Sequence, residues 1–204
     1  MKIKEYWENV YLTKSPDKVS WFQEHAEQSL RLIENTKLPL SASIIDVGGG
    51  ASTLVDDLVL KGYSSITVLD LSTTAMLSAK ERLKSNAAKV NWVEADILEA
   101  ALPIAAYDLW HDRAVFHFLT KQEQRNAYIL AVERSVKPGG HIIIATFAED
   151  GPTQCSGLPV NRYTAEQLHS EFGSAFKFIK QEKEGHSTPF GTLQKFIYCY
   201  CRKD

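Results

Sequence analysis

Ser43-Ile44-Ile45-Asp46-Val47-Gly48-Gly49-Gly50-Ala51-Ser52 decides how this 204-residue chain is read. An apolar run ends in an acid, then in small residues, and a helix-like segment follows over residues 53–61. This is the pattern of a buried strand turning sharply into a helix. Glycines let such a turn take positive φ and let a ligand approach the helix amino terminus closely. Asp46 selects the ligand. A pyrophosphate would be repelled by a carboxylate at that point, whereas a cofactor with a cationic amino-acid end would not. The dinucleotide fingerprint G-x-G-x-x-G is also incomplete, because Thr53 stands where its last glycine belongs.

Two more acids fall at strand ends. Ser65-Ile66-Thr67-Val68-Leu69 reads as a second strand closing in Asp70, and residues 90–95 as a third followed by Asp96-Ile97. In doubly wound sheets, an acid about 20 residues beyond the glycine turn binds ribose hydroxyls. A lone Asp is more often a helix cap or turn residue. Three acids ending three successive strands point instead to one shared ligand.

The rest of the chain alternates. Helices are expected over residues 4–11, 24–34, 53–61 (stopped by Gly62), 73–84, 120–136 and 164–172. Capping boxes Thr120-Lys121-Gln122-Glu123 and Thr164-Ala165-Glu166-Gln167 open the last two. Strands are expected at 107–111, at 141–147 after Lys137-Pro138-Gly139-Gly140, and at 176–180 and 193–201. Strand–helix alternation implies right-handed crossovers and a mostly parallel sheet. The last two strands, joined only by a loop around residues 186–191, should form an antiparallel hairpin. The expected fold is α/β, a doubly wound, mostly parallel seven-stranded sheet with an antiparallel last strand and helices on both faces. One domain over 1–204 is expected, with a helical lid (1–40), a cofactor core (43–147), and substrate-side loops with the hairpin (148–204).

Bulk properties set bounds. With 44% hydrophobic and 24% charged residues, the chain has an ordinary globular composition. A net charge of −2 without basic clusters gives no pull toward nucleic acid or anionic membrane. No signal peptide or membrane-length apolar run is seen. Three cysteines without a Cys-x-x-Cys suggest a reducing cytoplasm and no metal site.

The spacing Asp46-x-Gly48-x-Gly50-x-Ser52 resembles the first motif of class I S-adenosylmethionine-dependent methyltransferases. The reversed last strand and the Lys-Pro-Gly-Gly before strand five are also typical of that Rossmann-like family. The resemblance implies S-adenosyl-L-methionine as cofactor, held by Asp46, Gly48, Gly49, Gly50, Ser52, Asp70, Leu71, Asp96, Ile97, Asp112 and Arg113. Asp96 would meet the adenine amino group, with Ile97 and Leu71 on the ring faces. A more distant similarity, to lysine methyltransferases of elongation factors and citrate synthase, rests on Tyr6-Trp7 through Trp21-Phe22 and on the segment after strand four. Those enzymes close that segment with an acid, and here His117 stands in its place.

Methyl transfer from a sulfonium needs mainly alignment. Where the acceptor carries a proton, His117 or His186 are candidate bases and Asp112 a candidate for orienting an amine. Each has a plainer reading. His117 would pack under Phe116 and Phe118, Arg113 would pair with Asp112, Cys155 would fill space, and His186 would be solvated. The aromatic residues at 6–22 would form either helix packing or a lid. A small-molecule acceptor is expected. A protein lysine is the alternative, and a third class is a dinucleotide oxidoreductase or a binding protein that keeps the fold without catalysis; Asp46 and the absent third glycine speak against dinucleotides.

Overall fold

The computed structural model describes residues 3–204. Its strands are β1 (Ser43–Val47), β2 (Ser65–Asp70), β3 (Val90–Glu94), β4 (Tyr107–Arg113), β5 (Val136–Phe147), the short β6 (Gln154–Cys155) and β7 (Leu158–Pro159), β8 (Phe176–Ser187) and β9 (Leu193–Lys203). Seven of them form one sheet in the order β3-β2-β1-β4-β5-β9-β8, while β6 and β7 make a separate ribbon. β1 to β5 run parallel, and β9 is antiparallel to both β5 and β8. Strand β8, reversed twice relative to β5, therefore points with the parallel set. This is the mostly parallel sheet with a reversed last strand that the alternation implied. Strand order reverses between β1 and β4, and carboxyl ends of strands at such a point open a ligand crevice.

The helices are α1 (Ile3–Thr13), α2 (Glu27–Asn35), α3 (Leu54–Leu60), α4 (Thr73–Leu83), α5 (Gln122–Ser135) and α6 (Ala165–Phe172). Successive strand residues face opposite sides of a sheet, and both sides here are covered. Ile45, Trp110, Ile142 and Ile144 join a core with Tyr128 and Val132 of α5 and Leu168 of α6. Their neighbours Ile44, Leu109, Ile143 and Ala145 join a second core with Leu32 of α2, Leu58 of α3 and Ala79 of α4. Burial on both faces is why these strands read as continuous apolar runs. Each fully buried isoleucine contributes roughly 1.5–3 kcal/mol.

Several boundaries differ from the expectation. α2 starts at Glu27 rather than 24, because Asp57 takes the Ala26 N–H (3.2 Å) and His25 (2.8 Å) and holds both outside the helix. α5 is capped at Lys121, not Thr120. The Thr120 N–H is already bound to the Phe118 carbonyl, and Gln124, not Glu123, reaches back to the Lys121 N–H. Lys137-Pro138-Gly139-Gly140 does not precede β5 but bulges within it, between the pairs Tyr107–Val136 and Leu109–His141. Gly139, at φ +73°, supplies the backbone for that bulge. β8 runs seven residues past Lys180, because β9 pairs with it along its polar half and Glu182 and Glu184 find cationic partners.

Candidate functional site

The loop after β1 is shaped by what its glycines leave out. Gly48 has φ +71°, and a Cβ there would stand 2.1 Å from Val115 Cγ2. At Gly50 a Cβ would fall 2.5 Å from Asp70 Oδ2, an oxygen that instead accepts the Gly50 N–H at 2.9 Å. Asp70 also accepts the Ser72 N–H at 2.8 Å. Burial pushes its carboxyl up to about 6 against the pull of these two N–H donors, with Asp46 and Glu8 adding to the rise. Asp46, at the end of β1, is 2% exposed. Its Oδ1 meets His111 Nδ1 at 2.7 Å, and its Oδ2 is buried with no partner among the described residues. An isolated buried carboxylate oxygen is costly, so Oδ2 is aimed at something the protein does not itself supply.

Two cavities adjoin this loop. The larger, about 270 Å³, runs past Leu69, Asp70, Leu71, Asp96 and Ile97. The smaller, about 50 Å³, lies against Asp46, Gly49, Ser52, Ser29 and His111. Tyr11, Trp21, Val47, Gly48 and Arg113 line both. The division fits the expected cofactor: a nucleoside in the larger space, an amino-acid tail in the smaller, and the unpaired Asp46 oxygen for its ammonium. Asp96 accepts the Leu98 N–H (2.9 Å) through Oδ1 only. Ser52 accepts the Leu54 N–H at 3.2 Å.

Of the residues singled out in the sequence, Asp46, Gly48, Gly49, Ser52, Asp70, Leu71, Asp96, Ile97 and Arg113 line these walls, and Gly50 lies just behind, against Asp70. The three acid–base candidates do not. Asp112 is fully buried, with its oxygens taken by the Val115 N–H (2.8 Å), the Phe116 N–H (3.0 Å) and the Tyr128 hydroxyl (2.6 Å). Burial raises it to about 6 despite these donors. It holds the turn after β4, and the expectation that it binds cofactor or orients an amine is corrected. His117 is packed between the rings of Phe118 and Phe147, at 4.5 and 4.8 Å. Burial, then the Arg113 charge, pushes it down to about 3. It is a neutral core histidine and not a base. His186 sits at the rim end of β8, but its Nε2 meets the Ser20 carbonyl at 2.8 Å. It pins the segment before α2 and faces neither cavity, so its assignment as a base is corrected too.

Arg113 is the residue of this segment that lines both cavities. Its guanidinium lies 4.1 Å over the Phe196 ring, pairs with Glu184 at 3.3 Å, and donates to the Tyr198 hydroxyl (3.1 Å) and the Trp21 carbonyl (3.4 Å). Its partner is therefore Glu184, not Asp112. Cys155 lines the larger cavity, and burial pushes its thiol up to about 12, which disfavours the thiolate form.

Amino-terminal aromatics line one side of the larger cavity. Trp7 packs edge-on against Phe118 (5.2 Å) and Trp21 (5.8 Å), and all three line the larger cavity. The Tyr6 hydroxyl donates to the Ser156 carbonyl in the β6–β7 turn, joining α1 to the far rim. The sequence reading missed His111, Ser29 and Val115. The signal for His111 was register: Asp46 and His111 are partners on adjacent strands, visible only once β1 and β4 are aligned.

Residues 44–140 match the family described as "Methyltransferase domain". The chain is 25% identical over 168 residues to EEF1A lysine methyltransferase 2 of Homo sapiens, an alignment covering 79% of this chain and 65% of that protein. The chain thus spans just under two thirds of that relative's length. Among solved structures, it resembles the 1,6-didemethyltoxoflavin-N1-methyltransferase of Burkholderia thailandensis, bound to 1,6-didemethyltoxoflavin and S-adenosylhomocysteine. The TM-score is 0.69 and the identity 18%, over 98% of this chain and 83% of that one. A structure described under the conversion of a disulfide bond into a thioacetal group during echinomycin biosynthesis superposes with TM-score 0.81 and 18% identity, over 100% of this chain and 94% of that one. These two likenesses are of fold.

Proposed function

We infer that the chain is a class I S-adenosylmethionine-dependent methyltransferase that carries the sulfonium methyl group of that cofactor to a small-molecule acceptor. The unpaired, buried Oδ2 of Asp46 at the head of the small cavity carries this reading. It provides one acceptor, in a water-poor space, for the ammonium of an amino-acid tail. The cofactor supplies an activated methyl with a good leaving group. This chain's own residues supply grip and alignment. Asp70 receives the ribose hydroxyls, Asp96 the adenine amino group, and Leu71 and Ile97 flank the base. Arg113, Tyr11 and Trp21 stand where the two cavities meet, and α1 with the following segment acts as the lid that keeps water out.

The junction also bears on the acceptor. Among the described residues that line both cavities, Arg113 is cationic, and burial pushes the Tyr11 hydroxyl up. Neither takes a proton readily. An acceptor suited to this place brings its own lone pair at neutral pH, as a thiolate or an unprotonated ring nitrogen does.

A second reading, methylation of a protein lysine, is favoured by the 25% identity to EEF1A lysine methyltransferase 2 over 79% of this chain. One experiment separates the two. Purified protein and methyl-labelled S-adenosylmethionine are incubated with a cell extract divided by ultrafiltration. Label in a low-mass product separated by chromatography from the unreacted cofactor is expected. Label confined to protein bands would replace the small-molecule reading with the lysine one, and label in neither would contradict methyl transfer to any component of that extract.

A further inference from the structure

We infer that His111 is a positioning residue for the amino end of the cofactor, holding Asp46 so that one carboxylate oxygen stays free and fixed. The inference rests on the cofactor reading above and goes beyond it in assigning a role to His111 and, through it, to Ser29.

Asp46 and His111 are register partners on β1 and β4. Both are at most 2% exposed, and both line the small cavity together with Ser29 of α2. A carboxylate has no hydrogen to give, so in the 2.7 Å contact His111 Nδ1 carries the hydrogen and Asp46 Oδ1 accepts it. The other ring nitrogen lies 2.9 Å from Ser29 Oγ. The imidazole is therefore held at both ends. The Asp side-chain torsion that turns the carboxylate is a soft one. Pinning Oδ1 removes that freedom and leaves Oδ2 directed along one line, toward the bare backbone of Gly49, where a Cβ would stand only 2.3 Å from it.

The arrangement continues across the sheet. Ser29 Oγ lies 3.4 Å from the Tyr198 hydroxyl, which donates to Glu184 at 2.9 Å and accepts from Arg113 at 3.1 Å. One run of polar contacts thus joins the ammonium pocket to the residue at the cavity junction. A histidine present only for stability would not need to face a buried carboxylate that keeps an oxygen unpaired.

The test compares two ligands by titration calorimetry. S-adenosylhomocysteine has the amino-acid tail, and 5′-methylthioadenosine has the same nucleoside without it. In His111→Ala the first should weaken about tenfold or more, as for loss of a buried charge-assisted contact, while the second stays within about twofold. His111→Asn, whose amide can donate to Asp46 from a similar place, should recover most of the loss. Ser29→Ala frees the far ring nitrogen and should give a milder loss, about threefold, again for the tailed ligand only. This variant carries the test if His111→Ala does not fold. Equal weakening of both ligands, or no weakening of the tailed one, would overturn the role. Wild-type protein that binds neither nucleoside would overturn the cofactor reading itself, and this inference with it.

Discussion

The Glu8 carboxylate of α1 accepts the Thr73 N–H at 2.6 Å, at the amino terminus of α4 and three residues beyond Asp70. Its other oxygen accepts from the Thr74 N–H (3.2 Å) and the Ser72 hydroxyl (3.1 Å). An acid from one helix thus caps another, where free N–H groups and the helix dipole both favour negative charge. Ser72, which also donates its N–H to Asp70, links this cap to the acid assigned to the ribose. Glu8→Ala should therefore lower stability by about 0.5–2 kcal/mol, the usual worth of a cap. It should also speed amide exchange in α1 and raise the dissociation rate of S-adenosylhomocysteine. Exchange in α1 unchanged from wild type would show that Glu8 does not hold the lid.

Asp70 makes ligand binding depend on pH in a definite direction. Ribose hydroxyls donate to an ionised carboxylate, and burial has raised this one to about 6 in the free protein. Above about pH 7 it is ionised and ready. As pH falls through 6 a growing fraction must lose a proton before it can accept both hydroxyls, and affinity declines toward about tenfold per unit. Affinity for 5′-methylthioadenosine should therefore be level from pH 8 to 7 and fall several-fold by pH 5. The ligand has no tail, so Asp46 does not enter the comparison. In Asp70→Asn, binding should be weaker and level over the same range. A wild-type profile flat to pH 5 would remove Asp70 from the ribose contact.

Gly48→Ala tests the loop. A side chain at φ +71° costs roughly 1–2 kcal/mol before any clash, and the new methyl would overlap Val115 Cγ2 at 2.1 Å. The melting temperature should drop and S-adenosylhomocysteine binding should be lost. Val115→Ala in the same chain removes the overlapping atom and should return part of the stability, so the two changes are not additive. Strict additivity would mean that the strain is in the backbone alone.

His117→Ala should act on stability and not on the site. Removing a ring packed between Phe118 and Phe147 leaves a cavity, at a cost of about 2–4 kcal/mol. Affinity for S-adenosylhomocysteine should stay within about twofold of wild type when measured well below the melting temperature. A variant with unchanged melting temperature but abolished turnover would restore His117 as a catalytic group.

The residues the sequence disclosed were those whose meaning is local. Asp46 and Asp70 close apolar runs and Asp96 follows a third strand, and a strand end in an α/β sheet is a position that chain order alone defines. Gly48 and Gly50 likewise announce a turn that a Cβ would block. The misread residues depend on distant partners. His117 follows a strand end as an active-site residue would, and only the packing of Phe147 against it shows that it points inward. Asp112 reads like the other three acids, yet the chain turns back over it and fills its oxygens with its own N–H groups. His111 was passed over because its significance is a pairing 65 residues away. The polar half of β8 carries no apolar signal, since its side chains are matched by Arg31, Gln23 and Arg113 from other elements.

Titration of the wild-type protein with S-adenosylhomocysteine, with NAD as the comparison, tests the central claim most directly. The carboxylates of Asp46 and Asp70 should accept a nucleoside with a cationic tail, and Asp46 should refuse a pyrophosphate. Saturable one-to-one binding of S-adenosylhomocysteine in the micromolar range, with no heat from NAD, is the expected result. Absence of S-adenosylhomocysteine binding, or NAD binding as tightly, would contradict the assignment of Asp46 and the cavity it guards.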